Sequence, residues 1–116
     1  MNLALTTRTL GDAAVVHCCG SLIFQKDSTG LCDLVSELVL RYRSLVLDLS
    51  DVSTIDGGGL GMLAECIRSA KEAGVSLVLC RVPSKVQALL DLTRISSLVE
   101  IAGSEHDALA RSGAAA

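Results

Sequence analysis

The sequence predicts an α/β domain: a small, mostly parallel sheet with an antiparallel N-terminal edge strand, flanked by about four helices. Three observations predict it. Short apolar runs alternate with segments of helical spacing, after an initial hairpin signal. The central runs Leu45-Val46-Leu47-Asp48-Leu49 and Leu77-Val78-Leu79-Cys80 are nearly continuous apolar, as strands covered on both faces are. Half of the 116 residues are hydrophobic but only 2% are aromatic, so one core of Leu, Val, Ile and Ala is expected. That domain is expected over residues 3–111, with 112–116 as a disordered tail.

The elements follow in order. Leu3 to Thr9 reads as a first strand with Leu3 and Leu5 on one face, and Gly11-Asp12 as a hairpin turn. Ala13 to Cys19 is a second strand. Gly20 to Lys26 reads as a connection carrying Leu22, Ile23 and Phe24 outward. Asp27 or Ser28 can cap a helix from Thr29 to Arg41, with Leu31, Leu34, Val35, Leu38 and Tyr42 at helical spacing. A strand begins at Ser44 and runs to Leu49, with the chain leaving it near Val52. A second helix spans Gly57 to Ala73, with Leu60, Leu63, Ile67 and Ala70 inward and Gly74 as its stop. Val75 to Val82 is a buried strand. Pro83-Ser84 opens a helix to Leu92. Leu98 to Ile101 is a last short strand, and Ser104 caps a helix ending near Arg111.

Composition excludes several function classes. The formal charge is -3, there is no Lys/Arg block and no aromatic platform for bases, so nucleic acid is not an expected partner. No apolar run approaches the ~20 residues of a membrane helix, and no basic-then-apolar leader opens the chain. The cysteines are Cys18, Cys19, Cys32, Cys66 and Cys80, odd in number and without a Cys-x-x-Cys spacing. They read as buried, reduced thiols of a cytoplasmic protein. His17-Cys18-Cys19 is a poor metal chelator, because successive strand residues point to opposite faces. His17 and His106 have no nucleophile at a recognisable spacing, so no catalytic residue, metal or cofactor is expected. Asp48 and Asp51 flank a strand end, where a carboxylate more often binds the adjacent loop than serves catalysis.

The informative stretch is Asp56-Gly57-Gly58-Gly59-Leu60-Gly61. Asp56 is placed to cap the second helix, accepting from the amides of Gly58 and Gly59. Each glycine in a first turn gives up about 0.5–1 kcal/mol against a good helix former. Such a cost points to bare backbone or close approach, or to a tight turn with positive φ. Gly59-Leu60-Gly61-Met62-Leu63-Ala64 formally matches a dinucleotide fingerprint. The acidic residue expected about 20 positions on is absent from Val82-Pro83-Ser84, and no Lys-Ser/Thr pair follows the glycines.

Leu45 through Leu63, with Leu47-Asp48-Leu49-Ser50-Asp51-Val52 leading into Asp56-Gly57-Gly58-Gly59-Leu60, resembles the signature of the STAS family, the sulfate transporter and anti-sigma factor antagonist domain. Gly20-Ser21-Leu22, Leu77 to Pro83, Val86 to Thr93, and Val99-Glu100-Ile101 with Ser104-Glu105 fit the same pattern, so the resemblance runs from about Leu3 to Ala110. It implies the family's fold, a small sheet flanked by helices. It also implies binding of an anti-sigma factor, often a histidine-kinase-like ATPase that phosphorylates the second Ser of an Asp-Ser-Ser-Gly-Leu motif. Here Asp56, Gly59 and Leu60 match, but Gly57 and Gly58 stand at the serine positions, and Ile23 stands where the family has an acidic residue.

The expected function is therefore that of a bacterial, cytoplasmic regulatory module acting in transcription by partner switching, unswitchable at Gly58. The expected contact surface comprises Ile23, Phe24, Asp56, Gly57, Gly58, Gly59, Met62 and Glu65. Ser53 and Thr54 are nearby hydroxyls expected to lie off a kinase's trajectory. The alternatives are a STAS subunit clamping the ATPase of a lipid transporter, and a nucleotide- or anion-binding sensor. A weak homodimer fits any of the three.

Overall fold

The computed structural model describes residues 3–23 and 30–111. Phe24, the Asp27 or Ser28 cap and the 112–116 tail lie outside the described residues. The elements are β1 (Leu3–Leu10), β2 (Ala13–Leu22), α1 (Gly30–Leu38), β3 (Ser44–Ile55), α2 (Gly57–Glu72), β4 (Ser76–Cys80), α3 (Ser84–Leu92), a 3-10 turn (Ile95–Ser97), β5 (Glu100–Ala102) and α4 (Glu105–Arg111).

The strands form one five-stranded sheet in the order β1-β2-β3-β4-β5. β1 runs antiparallel to β2, and the remaining pairs are parallel. This is the predicted α/β architecture. Gly11 adopts φ 59 in the hairpin turn, where an L side chain would be strained. Because strand order follows chain order, each right-handed crossover helix lands on the same side of the sheet. The larger core lies there. Leu45, Leu47 and Leu49 of β3 meet Leu31 and Val35 of α1, Leu63 and Ile67 of α2, and Val86 and Leu90 of α3. On the other side α4 seats Ala108 against Val15, Val46, Val78 and Ala102.

Several boundaries differ from expectation. β2 runs through Gly20 to Leu22, and Leu22 is fully buried rather than outward-facing. Gly20, at φ 116, does not stop the strand. It marks one of two irregularities where β3 carries extra residues opposite β2, while along β2 Ala14, Val16, Cys18 and Leu22 all keep to the core side. β3 likewise extends to Ile55, so Asp48 is a buried mid-strand residue, not a strand-terminal one. β4 pairs with β3 only from Ser44 to Asp48. The rest of β3 is paired to β2 alone, and the two project as a ribbon from the carboxyl end of the sheet.

The other differences are smaller. α1 ends at Leu38 because the next amides bond three residues back, Leu40 to Glu37 and Arg41 to Leu38, which tightens the last turn. β4 ends at Cys80 where Arg81 turns left-handed at φ 52. The last strand starts at Glu100, since Arg94 at φ 64 leads into the 3-10 turn first. Cys19 is exposed and Cys32 half-buried, so only Cys18, Cys66 and Cys80 are the expected buried thiols. Burial is the largest influence pushing the Cys18 and Cys80 thiols up to about 12, so both stay protonated at neutral pH.

Leu47 has no exposed surface and sits between the sheet and its helices. Leu47→Ala is expected to cost about 2–5 kcal/mol, whereas Leu10→Ala at a half-exposed position should stay within about 0.5 kcal/mol. Urea denaturation midpoints at unchanged m-value measure both, and equal losses would refute this placement of the core.

Candidate functional site

The ribbon of β2 and β3 delivers two chain segments to one place. β2 ends at Leu22, with Ile23 half-buried beyond it, and β3 ends at Ile55, followed by Asp56 and the start of α2. The Asp56 amide donates to the Leu22 carbonyl at 3.4 Å, which ties the two segments together. Asp56 has extended backbone and caps α2: its Oδ1 accepts from the Gly59 amide at 2.7 Å, and its carbonyl accepts from the Leu60 amide at 2.9 Å. The Gly59 amide is half of the cap expected from the sequence. Taken up by the chain's own carboxylate, it is not offered to a phosphate.

The glycines play different parts. Gly57 to Gly59 are helical, and the glycines with positive φ among the described residues are Gly11, Gly20 and Gly74, so no tight-turn conformation explains the run. Gly59 is buried, and a Cβ there would lie 1.8 Å from the Leu22 carbonyl oxygen and 3.3 Å from Ile55 Cγ1. Only glycine lets α2 approach the end of β2 this closely. Gly57 and Gly61 are exposed, and a Cβ at either would meet nothing within 4 Å. No packing demand of the fold accounts for them.

α2 presents a stripe outward and another inward. Gly57, Gly61, Glu65, Arg68 and Glu72 are exposed at helical spacing. Arg68 bonds Glu65 at 2.5 Å and Glu72 at 2.7 Å, and its hydrogen bonding and charge hold the Glu65 carboxyl below the usual carboxylate range. Met62 is half-buried against the core, so of the two expected contacts beyond the glycines on α2, Glu65 faces out fully and Met62 in part. Ile23, Asp56, Gly57, Gly58 and Gly59 come together at the ribbon end. Ser53 and Thr54 are exposed within β3, and the Ser53 hydroxyl donates to the Gly20 carbonyl at 3.1 Å.

Two features escaped the sequence. One is the Leu22 carbonyl as the abutment of the loop. A glycine inside a strand pattern is a signal for a bulge or close approach, and Gly20 carried it. The other is a groove of about 340 Å³ beside the loop, lined by Ser53, Thr54, Ile55, Pro83, Lys85 and Leu89 among others. Pro83-Ser84 marked a strand-to-helix turn at the same end of the sheet, which is where ligands and partners meet such folds.

The opposite sheet face carries a polar cluster. His17 Nε2 lies 2.8 Å from Asp51 Oδ2. Asp48 is buried, accepts from the Ser50 amide at 2.9 Å, and lies 3.5 Å from Arg81. Burial alone would raise its pKa. Hydrogen bonding, with the Ser50 amide as donor, and the Arg81 charge outweigh burial and hold the carboxyl below its ordinary value. Glu105 also pairs with Arg8, which links α4 to β1. Among the described residues no group of three or more His, Cys, Asp or Glu side chains could hold a metal, and no helix is long and apolar enough to cross a membrane.

One five-stranded sheet with crossover helices on one side, α4 on the other and a capped glycine turn at its carboxyl end defines the class. The STAS domain family model matches residues 4–108, and the chain belongs to this family. A candidate anti-sigma factor antagonist of Thermotoga maritima is 33% identical over 60 residues, 52% of this chain and 53% of that protein, so the match spans about half of the curated relative. A crystal structure of a candidate anti-sigma factor antagonist from Thermotoga maritima superposes with TM-score 0.78 at 22% identity over 94% of each chain. The anti-sigma factor antagonist SpoIIAA in its unphosphorylated form gives 0.76 at 14% identity, covering 93% of this chain and 95% of its own. The murine anion transporter Slc26a9 gives 0.69 at 20% identity, with 92% of this chain on 18% of the transporter. The structural likenesses establish the fold that this chain shares with each.

Two predictions follow from this geometry. Gly59→Ala is expected to destabilise by about 3 kcal/mol, because the new methyl group meets a backbone carbonyl that has nowhere to go. Gly57→Ala and Gly61→Ala should instead gain about 0.5–1 kcal/mol each. Thermal denaturation of the three variants checks the contrast, and a neutral Gly59→Ala would contradict the close approach. For Asp48, the folded pKa lies below the unfolded value of about 3.9, so its contribution is fully present above that pH and is lost as pH falls through the folded value. Wild type should lose stability steeply below about pH 4, and Asp48→Asn should flatten that slope. Parallel pH profiles for the two proteins would contradict the assignment.

Proposed function

We propose that this domain is a regulatory binding module of the anti-sigma factor antagonist type, working in the bacterial cytoplasm and without catalytic activity of its own. It docks an anti-sigma factor or related histidine-kinase-like ATPase through Ile23, the Asp56–Gly59 loop and the outward start of α2, with Met62 and Glu65 at the border. One observation carries this reading. Gly57 and Gly61 lie exposed in the first turns of α2 with open space before them, at a helix-stability cost that no internal contact explains. A partner lying against bare backbone gives that cost a use. The family membership and the likeness to a candidate anti-sigma factor antagonist of Thermotoga maritima support the same reading.

Regulation is proposed to differ from a serine switch. SpoIIAA has a phosphorylated as well as an unphosphorylated form. A phosphate adds about -1.5 to -2 charge and ejects a partner by repulsion and desolvation. At positions 57 and 58 this chain has no hydroxyl to modify. Ser53 is engaged with Gly20, in keeping with a role in the ribbon.

Incubation with the cognate kinase and ATP, followed by mass spectrometry, is expected to leave wild type unmodified while Gly58→Ser gains one phosphate. High-stoichiometry phosphate on Ser53 or Thr54 of wild type would overturn the unswitched reading. Glu65→Lys is expected to weaken partner binding about tenfold by calorimetry. Capture of a transporter ATPase, and no kinase-like ATPase, from the native cell would favour the transporter-subunit reading instead.

A further inference from the structure

We propose that Cys32 and Cys66 are an oxidisable thiol pair, a covalent modification site at which an intrachain disulfide ties α1 to α2. The two sulfurs lie 4.0 Å apart across the contact between these helices, and the Cys32 thiol also points to the Met62 carbonyl at 3.7 Å. A disulfide needs about 2.05 Å, so each sulfur must travel about 1 Å, a displacement within reach of small side-chain torsions and slight helix adjustment. Cys32 is half-buried and Cys66 buried, which gives the pair an entry point and a resolving partner. Burial pushes the Cys66 thiol up, so Cys66 is a poor first nucleophile and Cys32 takes that role.

The step balances with a low-molecular-weight disulfide as oxidant. The Cys32 thiolate, having given its proton to solvent, attacks one sulfur of that disulfide. A Cys32 mixed disulfide forms and one small thiolate leaves and takes up a proton. Cys66 then gives up its proton as it attacks the Cys32 sulfur, and the second small thiolate departs and is protonated. Two protein thiols are oxidised and one small disulfide is reduced to two thiols. In a reducing cytosol the pair stays open, so the link would form only under oxidative load.

The other thiols are worse placed. Cys19 is exposed on β2, and Cys18 and Cys80 are both buried, so neither offers the half-buried entry point that Cys32 does. Cys66 lies one helical turn from Met62, so the link borders the first turns of α2. Its formation does not depend on the docking reading. An effect on docking would.

The full chain is oxidised with glutathione disulfide and digested without reductant. The expected major product is a Cys32–Cys66 cross-linked peptide, short of two hydrogens and reopened by dithiothreitol. The oxidised protein should melt about 5 °C or more above the reduced one. Cys32→Ser and Cys66→Ala should each abolish the peptide and the shift, and Cys19→Ser should leave both intact. A Cys18–Cys66 link, Cys19-linked dimers alone, or glutathione left on Cys32 without cross-linking would overturn the proposal. Slower amide exchange in α1 and α2 of the oxidised protein would support it.

Discussion

The approach of α2 to the end of β2 is the constraint on which the rest of the carboxyl end depends. The Leu22 carbonyl accepts the Asp56 amide and leaves no room for a Cβ at Gly59. One backbone oxygen thus fixes the loop and the helix start together. If that contact opened, the α2 axis would tilt, and Leu60 and Leu63 would lose their seats against Leu47 and Leu49. Asp56 works in series with it, because its carboxylate holds the Gly59 amide while its own amide holds the ribbon. A single residue therefore caps the helix and anchors it to the sheet. The ribbon itself exists because β3 outruns β4, leaving its last residues paired with β2 alone.

The two sides of the sheet solve burial differently. Three crossover helices cover one side with aliphatic side chains, and the small residues Ala14, Cys18 and Ala70 let them sit close. Among the described residues the other side has only α4, whose apolar contribution is centred on Ala108. Seven residues of helix bury too little to hold by hydrophobic contact alone. The ionic set of Asp48, Arg81, Glu105 and Arg8 supplies the remainder, with Ser104 capping at 3.1 Å to the Asp107 amide. A buried carboxylate is costly unless it is hydrogen-bonded and paired. Asp48 meets that condition in part: Oδ1 accepts from the Ser50 amide, and Oδ2, which has no hydrogen-bond partner among the described residues, is ion-paired at 3.5 Å with Arg81, which turns left-handed directly after β4. The strained backbone of Arg81 and the depressed pKa of Asp48 are two sides of one arrangement.

How much of this was legible in the sequence depends on the kind of signal. Element type and order came from apolar periodicity, which burial enforces, and the α/β sheet with its antiparallel edge is the result. The Asp56 cap and the Gly74 stop were legible for the same reason: few residues fulfil those roles. The ribbon was not. Ser50, Asp51, Ser53 and Thr54 read as loop because their polarity reflects solvent on the free side of a strand that has lost one neighbour. Leu22 was misplaced because Gly20 reads as the end of a strand, although Ala14, Val16, Cys18 and Leu22 keep a constant period of two on the core side; the period shifts on β3 instead, where the buried positions step from Leu49 to Val52. The contact surface was legible only as a set of positions. Its residues come from two segments whose meeting depends on a backbone carbonyl, and a carbonyl has no letter in the sequence. The cysteine pair was invisible for a similar reason, since two thiols on different helices declare nothing until the helices are packed.

Two of the three glycines of the first turn pose different problems. Gly59 is required by the fold, and its helix cost is offset by the packing it permits. Gly57 is not required, because its would-be side chain points into open space. Sterics would admit a side chain at Gly57, so its absence there is not a structural necessity. A residue that weakens its own helix, relieves no clash and adopts no special φ is what the proposed docking surface would account for. The exposed turn leads to the groove on one side and to the half-buried Met62 and Cys32 on the other. The proposed docking surface and the proposed thiol pair therefore share a border, with Met62 contributing its side chain to the first and its carbonyl to the second.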